Sequence, residues 1–164
     1  MKKILVLDFG GQYAHLIAKR FRNLGFYSEI VLPNIDEKKI IDVSAIVLSG
    51  SPSSVYGDDA PPFNERIAFL DIPILGLCYG HQLLAKVYGG NVSKVEVGEF
   101  GLATFQKVKE SPLFDNITFP NQVWMSHTDE IVSLPEGFEV IGSTKDCKVA
   151  AFQDLKLKRF RLQF

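Results

Sequence analysis

A chain of 164 residues with 46% hydrophobic and 23% charged side chains is most simply one domain, large enough to bury a substantial core. Its formal net charge of −1 provides neither the basic field of a nucleic-acid binder nor the acidic excess of a disordered chain. Two cysteines are too few for a disulfide framework, and no stretch has the apolar length of a signal peptide core or a membrane span, so the expectation is a cytoplasmic protein without membrane contact.

Ile4-Leu5-Val6-Leu7 is a continuous apolar run, the pattern of a strand covered on both faces in a parallel sheet. Asp8-Phe9-Gly10-Gly11 ends it. Beyond it, Tyr13, Leu16, Ile17, Phe21 and Leu24 fall on one helical face, Lys19, Arg20, Arg22 and Asn23 face outward, and Gly25 supplies the stop. Residues 26–32 read as a second strand closed by Pro33, residues 36–41 as a short helix and residues 45–48 as a third strand. This alternation predicts an α/β domain with a parallel sheet and functional loops at the carboxyl ends of its strands. The loop Ser49-Gly50-Ser51-Pro52-Ser53-Ser54-Val55-Tyr56-Gly57 is rich in small residues, so its backbone N–H groups can face a ligand; an ordinary surface turn is the alternative. Neither glycine-rich phosphate-loop spacing is present.

The apolar run Ile74-Leu75-Gly76-Leu77 leads straight into Cys78, and from Gln82 the spacing turns helical until Gly89-Gly90. A thiol at a strand-to-helix turn, with Gly76 and Gly80 two residues to either side, is the cysteine form of the nucleophile elbow. The helix N-terminus beside it favours thiolate. The competing reading of Cys78 is a small buried hydrophobe. Residues 92–97 and 100–108 then look like two strands, residues 111–115 like a turn with a short helix, and residues 138–144 and 148–152 like further short strands. At the C-terminal end Phe160, Leu162 and Phe164 alternate with Arg159, Arg161 and Gln163, a half-buried strand whose basic residues, with Lys156 and Lys158, form a solvated polar face.

A nucleophilic thiol needs a base, and acyl transfer needs oxyanion donors. The N–H of Tyr79 is one candidate donor, and the Gly50-Ser51 loop offers another if it lies beside the elbow. Of the three histidines, His15 is a polar helix position, His81 a solvent-facing or contact residue, and His127 lies in a polar loop; none makes a convincing base. Cys147 is structural, and such widely spaced cysteines and histidines predict no metal site.

Gly76-Leu77-Cys78-Tyr79-Gly80-His81-Gln82 resembles the nucleophile signature of the class I (triad) glutamine amidotransferases. Asp8-Phe9-Gly10-Gly11-Gln12-Tyr13, Leu48-Ser49-Gly50-Ser51-Pro52-Ser53-Ser54-Val55 and Val123-Trp124-Met125-Ser126-His127-Thr128-Asp129 narrow the resemblance to the glutaminase domains of glutamine-hydrolysing GMP synthetases, over residues 4–164. The resemblance implies a three-layer sandwich around a mostly parallel sheet, with additional antiparallel strands in the second half. It implies Cys78 as the nucleophile toward the glutamine side-chain amide, with the backbone N–H groups of Ser51 and Tyr79 as oxyanion hole. Gly50, Gln82, Ser126 and His127 would hold the substrate. No cofactor is implied in this domain. Mg-ATP would act in an ATP pyrophosphatase (synthetase) domain or subunit that uses the ammonia to aminate XMP.

Three departures stand against that pattern. Ser51 replaces a glycine usual in the family, and Thr128 stands where glycine is frequent. The family's His-Pro-Glu motif, its base and orienting carboxylate, follows a strand ending in Gln-Phe; Leu162-Gln163-Phe164 matches that strand and no such motif is in the sequence. The expectation is an amidotransferase domain over residues 1–164 that is C-terminally incomplete and nearly inactive alone. A non-catalytic partner-binding module, or the glutaminase of another amidotransferase such as anthranilate synthase, are the alternatives.

Overall fold

The computed structural model describes residues 3–164, and side chains outside residues 95–97. The strands are β1 (Lys3–Leu7), β2 (Tyr27–Val31), β3 (Val43–Leu48), β4 (Ile74–Leu77), β5 (Asn91–Lys107), β6 (Asn121–Ser133), β7 (Glu139–Ser143), β8 (Ala151–Asp154) and β9 (Arg159–Leu162). They form one sheet in the order β2-β1-β3-β4-β9-β8-β7-β5-β6. The first five members of that order are mutually parallel, and the rest pair antiparallel. Helix α1 (Ala14–Asn23) covers one face and α2 (Tyr79–Val87) the other.

The apolar run of β1 is read on both faces. Ile4 and Val6 pack with Ala14, Ala18 and Val47 on the α1 side, while Leu5 and Leu7 join Ile46, Leu48, Leu83 and Leu84 on the α2 side. A third cluster, with Phe105, Met125, Ile141 and Ala151, fills the antiparallel half. Period-2 side-chain alternation therefore splits one continuous hydrophobic run between two cores.

Several expectations need correction. In α1 the stripe on the sheet is Ala14, Ile17, Ala18 and Phe21, whereas Tyr13, Leu16 and Leu24 are exposed. The two alanines let the helix lie close to the strands, which a stripe of large residues would prevent. The short helix at residues 36–41 is a single 3-10 turn, Glu37–Lys39, capped by the Asp36 side chain on the Lys38 N–H. The two strands expected at residues 92–97 and 100–108 are one, β5, with a register shift between Lys94 and Glu99. Residues 126–130 are not a loop but part of β6.

The largest correction concerns β9. Its alternation is real, but the face predicted to be solvated is the buried one: Arg159, Arg161 and Gln163 are 2%, 0% and 1% exposed. Arg159 donates to the carbonyls of Ala68 (2.8 Å), Leu70 (2.5 Å) and Ile72 (2.8 Å) and to the Tyr88 hydroxyl (2.8 Å), tying the segment before β4 to the sheet. Arg161 instead lies over the rings of Phe138, Phe152 and Tyr88, 4.1, 4.6 and 5.1 Å from their centroids. None of its guanidinium nitrogens has a hydrogen-bond partner among the described residues. Burial brings its pKa down to about 9. Lys156 and Lys158 are exposed, as expected.

Candidate active site

The elbow begins with strand register. Strand β4 lies between β3 and β9, with Leu48 opposite Gly76 and Leu162 opposite Leu77, so the residues that follow all three strands meet at one sheet edge. Cys78 sits there with φ 49° and ψ −105°, a region L-residues rarely occupy. Its N–H donates to the Leu162 carbonyl at 2.8 Å, and α2 starts at the next residue.

The flanking glycines are dictated by contact. A β-carbon on Gly76 would lie 2.6 Å from the Gly80 carbonyl oxygen, and one on Gly80 would lie 2.6 Å from the Leu48 Cβ. The first turn of α2 can press against β3 and β4 only with both side chains absent. A β-carbon on Gly50 would lie 3.7 Å from the Cys78 Cβ, which places the Ser49–Gly57 loop region beside the elbow. Ser49 holds that loop to the first strand's end by accepting the Phe9 N–H at 3.1 Å.

A cavity of about 280 Å³ opens at this edge. Cys78, Tyr79, Ser51, Gln82, Ser126 and His127 all line it, as do Ser54, Phe100 and Asp129, whereas Gly50 is not among the lining residues. The Cys78 Sγ lies 3.7 Å from the Gln163 Nε2 and 4.0 Å from the Ser126 carbonyl oxygen. Burial pushes the thiol pKa up, outweighing the lowering by the Tyr79 N–H and the Gln163 amide, so the helix start alone does not deliver the expected thiolate.

No histidine bonds this sulfur among the described residues. The His127 ring, on β6 and only 2% exposed, is held between the Glu99 carboxylate (Nε2 to Oε2, 3.2 Å) and the Asp129 carbonyl (3.1 Å), so both nitrogens are occupied. His81 is fully buried, edge-on to Phe152 at 4.9 Å, and burial together with Arg161 keeps its pKa well below the usual imidazole value. It is a core contact rather than a solvent-facing group. His15 is exposed on α1.

Asp129 was not among the expected site residues, and Gln82 was expected only from the family resemblance. Asp129, 8% exposed, presents its carboxylate to the cavity while Oδ2 accepts from the Ser54 hydroxyl at 2.6 Å. Its signal was its place two residues after His127 on the same inward face of a strand, which a loop assignment conceals. Gln82 donates through Nε2 to the Asp129 carbonyl (2.8 Å) and to Gln163 Oε1 (3.1 Å), leaving its side-chain carbonyl for a ligand.

Glu99, His127 and Cys147 bring ligand-type atoms within 4.8 Å of one another, a convergence the sequence spacing does not reveal. Both Glu99 oxygens are already engaged, by His127 and by the Thr144 hydroxyl at 2.9 Å. The Cys147 thiol is pushed up to about 12 by burial and by Glu130 and Glu99. The cluster works as a hydrogen-bonded brace behind the cavity wall.

The chain matches the family model for glutamine amidotransferase class-I over residues 5–164. It is 47% identical to a probable GMP synthase [glutamine-hydrolyzing] of Leptospira interrogans, covering 99% of this chain and 27% of that protein. The GMP synthase [glutamine-hydrolyzing] of Campylobacter lari is 46% identical, with 100% of this chain and 33% of that one covered. The chain thus spans a third or less of the length of these curated relatives. Among solved structures, a putative GMP synthase subunit from Thermoplasma acidophilum superimposes with a TM-score of 0.89 at 30% identity, covering 100% of this chain and 83% of that one. A glutamine amidotransferase from Thermotoga maritima, at 23% identity over 99% of this chain and 75% of that one, shares the fold with a TM-score of 0.85.

Proposed function

The chain belongs to the class I glutamine amidotransferases, and we propose that it is the glutamine-hydrolysing part of a GMP-forming synthetase. The observation that carries this is a cavity joining the Cys78 elbow to the Asp129 carboxylate and the free Gln82 carbonyl. Glutamine suits both ends of it. Its α-ammonium group meets Asp129 and the Gln82 carbonyl, and its side-chain amide reaches the sulfur. Sγ bonds to the amide carbon, the carbonyl electrons move onto oxygen, and the N–H groups of Tyr79 and Ser51 face that oxyanion. Collapse breaks the C–N bond and leaves a γ-glutamyl thioester; the departing nitrogen takes up a proton as ammonia. Water then hydrolyses the thioester to glutamate.

The base that removes the thiol proton and the acid that protonates nitrogen are not supplied by residues 1–164 in this reading. The synthetase partner is an ATP pyrophosphatase domain or subunit, where Mg-ATP activates XMP for amination. Relatives named as GMP synthases at 46% and 47% identity support that assignment over another amidotransferase. A cytoplasmic location fits two unpaired cysteines and a nucleotide-consuming reaction; no helix among the described residues is long and apolar enough to cross a membrane.

Calorimetric titration tests the substrate assignment. L-glutamine binds the wild-type chain, and Asp129→Asn weakens it about ten-fold or more, the loss expected for one charged hydrogen bond. Equal affinity in the two proteins would sink the placement of the amino group.

A further inference from the structure

We infer that Gln163 is a positioning residue for the nucleophile, donating its side-chain N–H to the Cys78 sulfur while its carbonyl fixes Gln82. The register puts it there. Leu162 is the parallel partner of Leu77, so the next residues on the two strands, Gln163 and Cys78, are neighbours at the sheet edge. Two backbone bonds set the pair: Cys78 N–H to the Leu162 carbonyl and Gln163 N–H to the Ala150 carbonyl, both 2.8 Å. The Gln163 side chain is on the inward face and 1% exposed.

Its orientation is determined by its neighbours. Gln82 spends one N–H on the Asp129 carbonyl at 2.8 Å, and the other reaches Gln163 Oε1 at 3.1 Å. Oε1 is therefore the accepting end of Gln163, and Nε2 is the end that faces sulfur, at 3.7 Å. The Ser126 carbonyl also stands by the sulfur, at 4.0 Å, and can accept only from a protonated thiol. The two neighbours favour opposite protonation states. Ser126 receives S–H from the resting thiol, and Gln163 donates to the thiolate that attacks.

No titratable side chain on the surrounding elements bonds the sulfur among the described residues. Asp129 is bonded to Ser54, His127 to Glu99, and Asp59 to Ser53; His81 is packed on Phe152 and Arg161 on its three rings. Gln163 is thus the one side chain among the described residues with a hydrogen-bond donor on the sulfur. The chain Cys78–Gln163–Gln82–Asp129 also links the thiol to the groups assigned to the glutamine amino end, a link that rests on the substrate reading above.

The test is the pH profile of Cys78 alkylation by iodoacetamide, read by peptide mapping so that Cys147 is counted separately. Removing the donor in Gln163→Leu moves the titration midpoint of Cys78 upward. At a fixed pH below both midpoints the rate falls about three- to ten-fold, the change for half to one pKa unit. Gln163→Glu has nearly the same shape, still accepts from Gln82 and covers the case of a Leu variant that does not fold. It replaces the donor by an acceptor, so its midpoint also rises. A midpoint unchanged in a folded variant, or lowered in Gln163→Glu, overturns the inference. The measurement needs no glutamine. A shifted midpoint in a chain that fails to bind glutamine would leave Gln163 standing and remove the substrate assignment; the converse result would do the reverse.

Discussion

Residues 1–164 alone are expected to release ammonia from glutamine at least about 10⁴-fold more slowly than a thiol enzyme with its base in place, because nucleophile and base act as a unit. Cys78 has the geometry of a nucleophile and a thiol whose pKa is raised by burial, so little thiolate exists near pH 7. Its sulfur meets the Gln163 amide N–H, the Tyr79 backbone N–H and a backbone carbonyl, none of which takes a proton from a thiol at useful rates. His127 is clasped between Glu99 and a backbone carbonyl, and His81 is sealed in the core. A coupled ammonia assay measures the rate. Added imidazole should raise it, because a diffusible base can reach a cavity open to solvent, and Cys78→Ala should abolish the rescued activity. Turnover by the unaided chain within ten-fold of a complete amidotransferase would contradict the assignment of these groups.

The second large effect is on stability, and it separates two arginines two residues apart. Arg159→Met is expected to cost about 3 kcal/mol or more. It strips the donors from the part-buried carbonyls of Leu70 and Ile72, each of which costs about 1–3 kcal/mol when left unsatisfied, while the Ala68 carbonyl keeps the Tyr88 hydroxyl as a donor. Arg161→Met is expected to leave stability unchanged or raise it by up to about 2 kcal/mol. Here the buried charge has no hydrogen-bond partner, and only its contacts with three rings, each on the order of 0.5–2 kcal/mol, offset its desolvation. Urea unfolding of the two variants gives the comparison, and a loss in Arg161→Met equal to that in Arg159→Met would show that the aromatic box depends on the cation.

These arginines also mark the limit of reading the sequence. The alternation along β9 was legible, but a period-2 pattern is the same whichever face turns inward. The choice was made by Tyr88, Phe138 and Phe152, which come from three different segments and together build a box for a guanidinium. For the same reason Asp129 and His127 were misplaced: polar residues suggest a loop, and only pairing of β6 with β5 shows that they alternate with exposed Ser126 and Thr128. The elbow was legible because its constraint is local. Two glycines and a strand-to-helix switch within seven residues admit few other structures, and the contacts at Gly76 and Gly80 supply the physical reason. The parallel half was legible too, since β1 needs only its own apolar run to announce burial on both faces. What the local pattern missed was the cost of burial at the sulfur, which depends on everything packed around it.

The function proposed for this chain requires Cys78 to be a nucleophile that faces a glutamine-shaped cavity. A chloroketone analogue of glutamine, which alkylates a thiolate without needing a general base, tests this most directly at mildly alkaline pH. Mass spectrometry should find one adduct, on Cys78, whose formation is suppressed by excess L-glutamine and absent in Cys78→Ala. An adduct on Cys147, or labelling of Cys78 indifferent to glutamine, would contradict it.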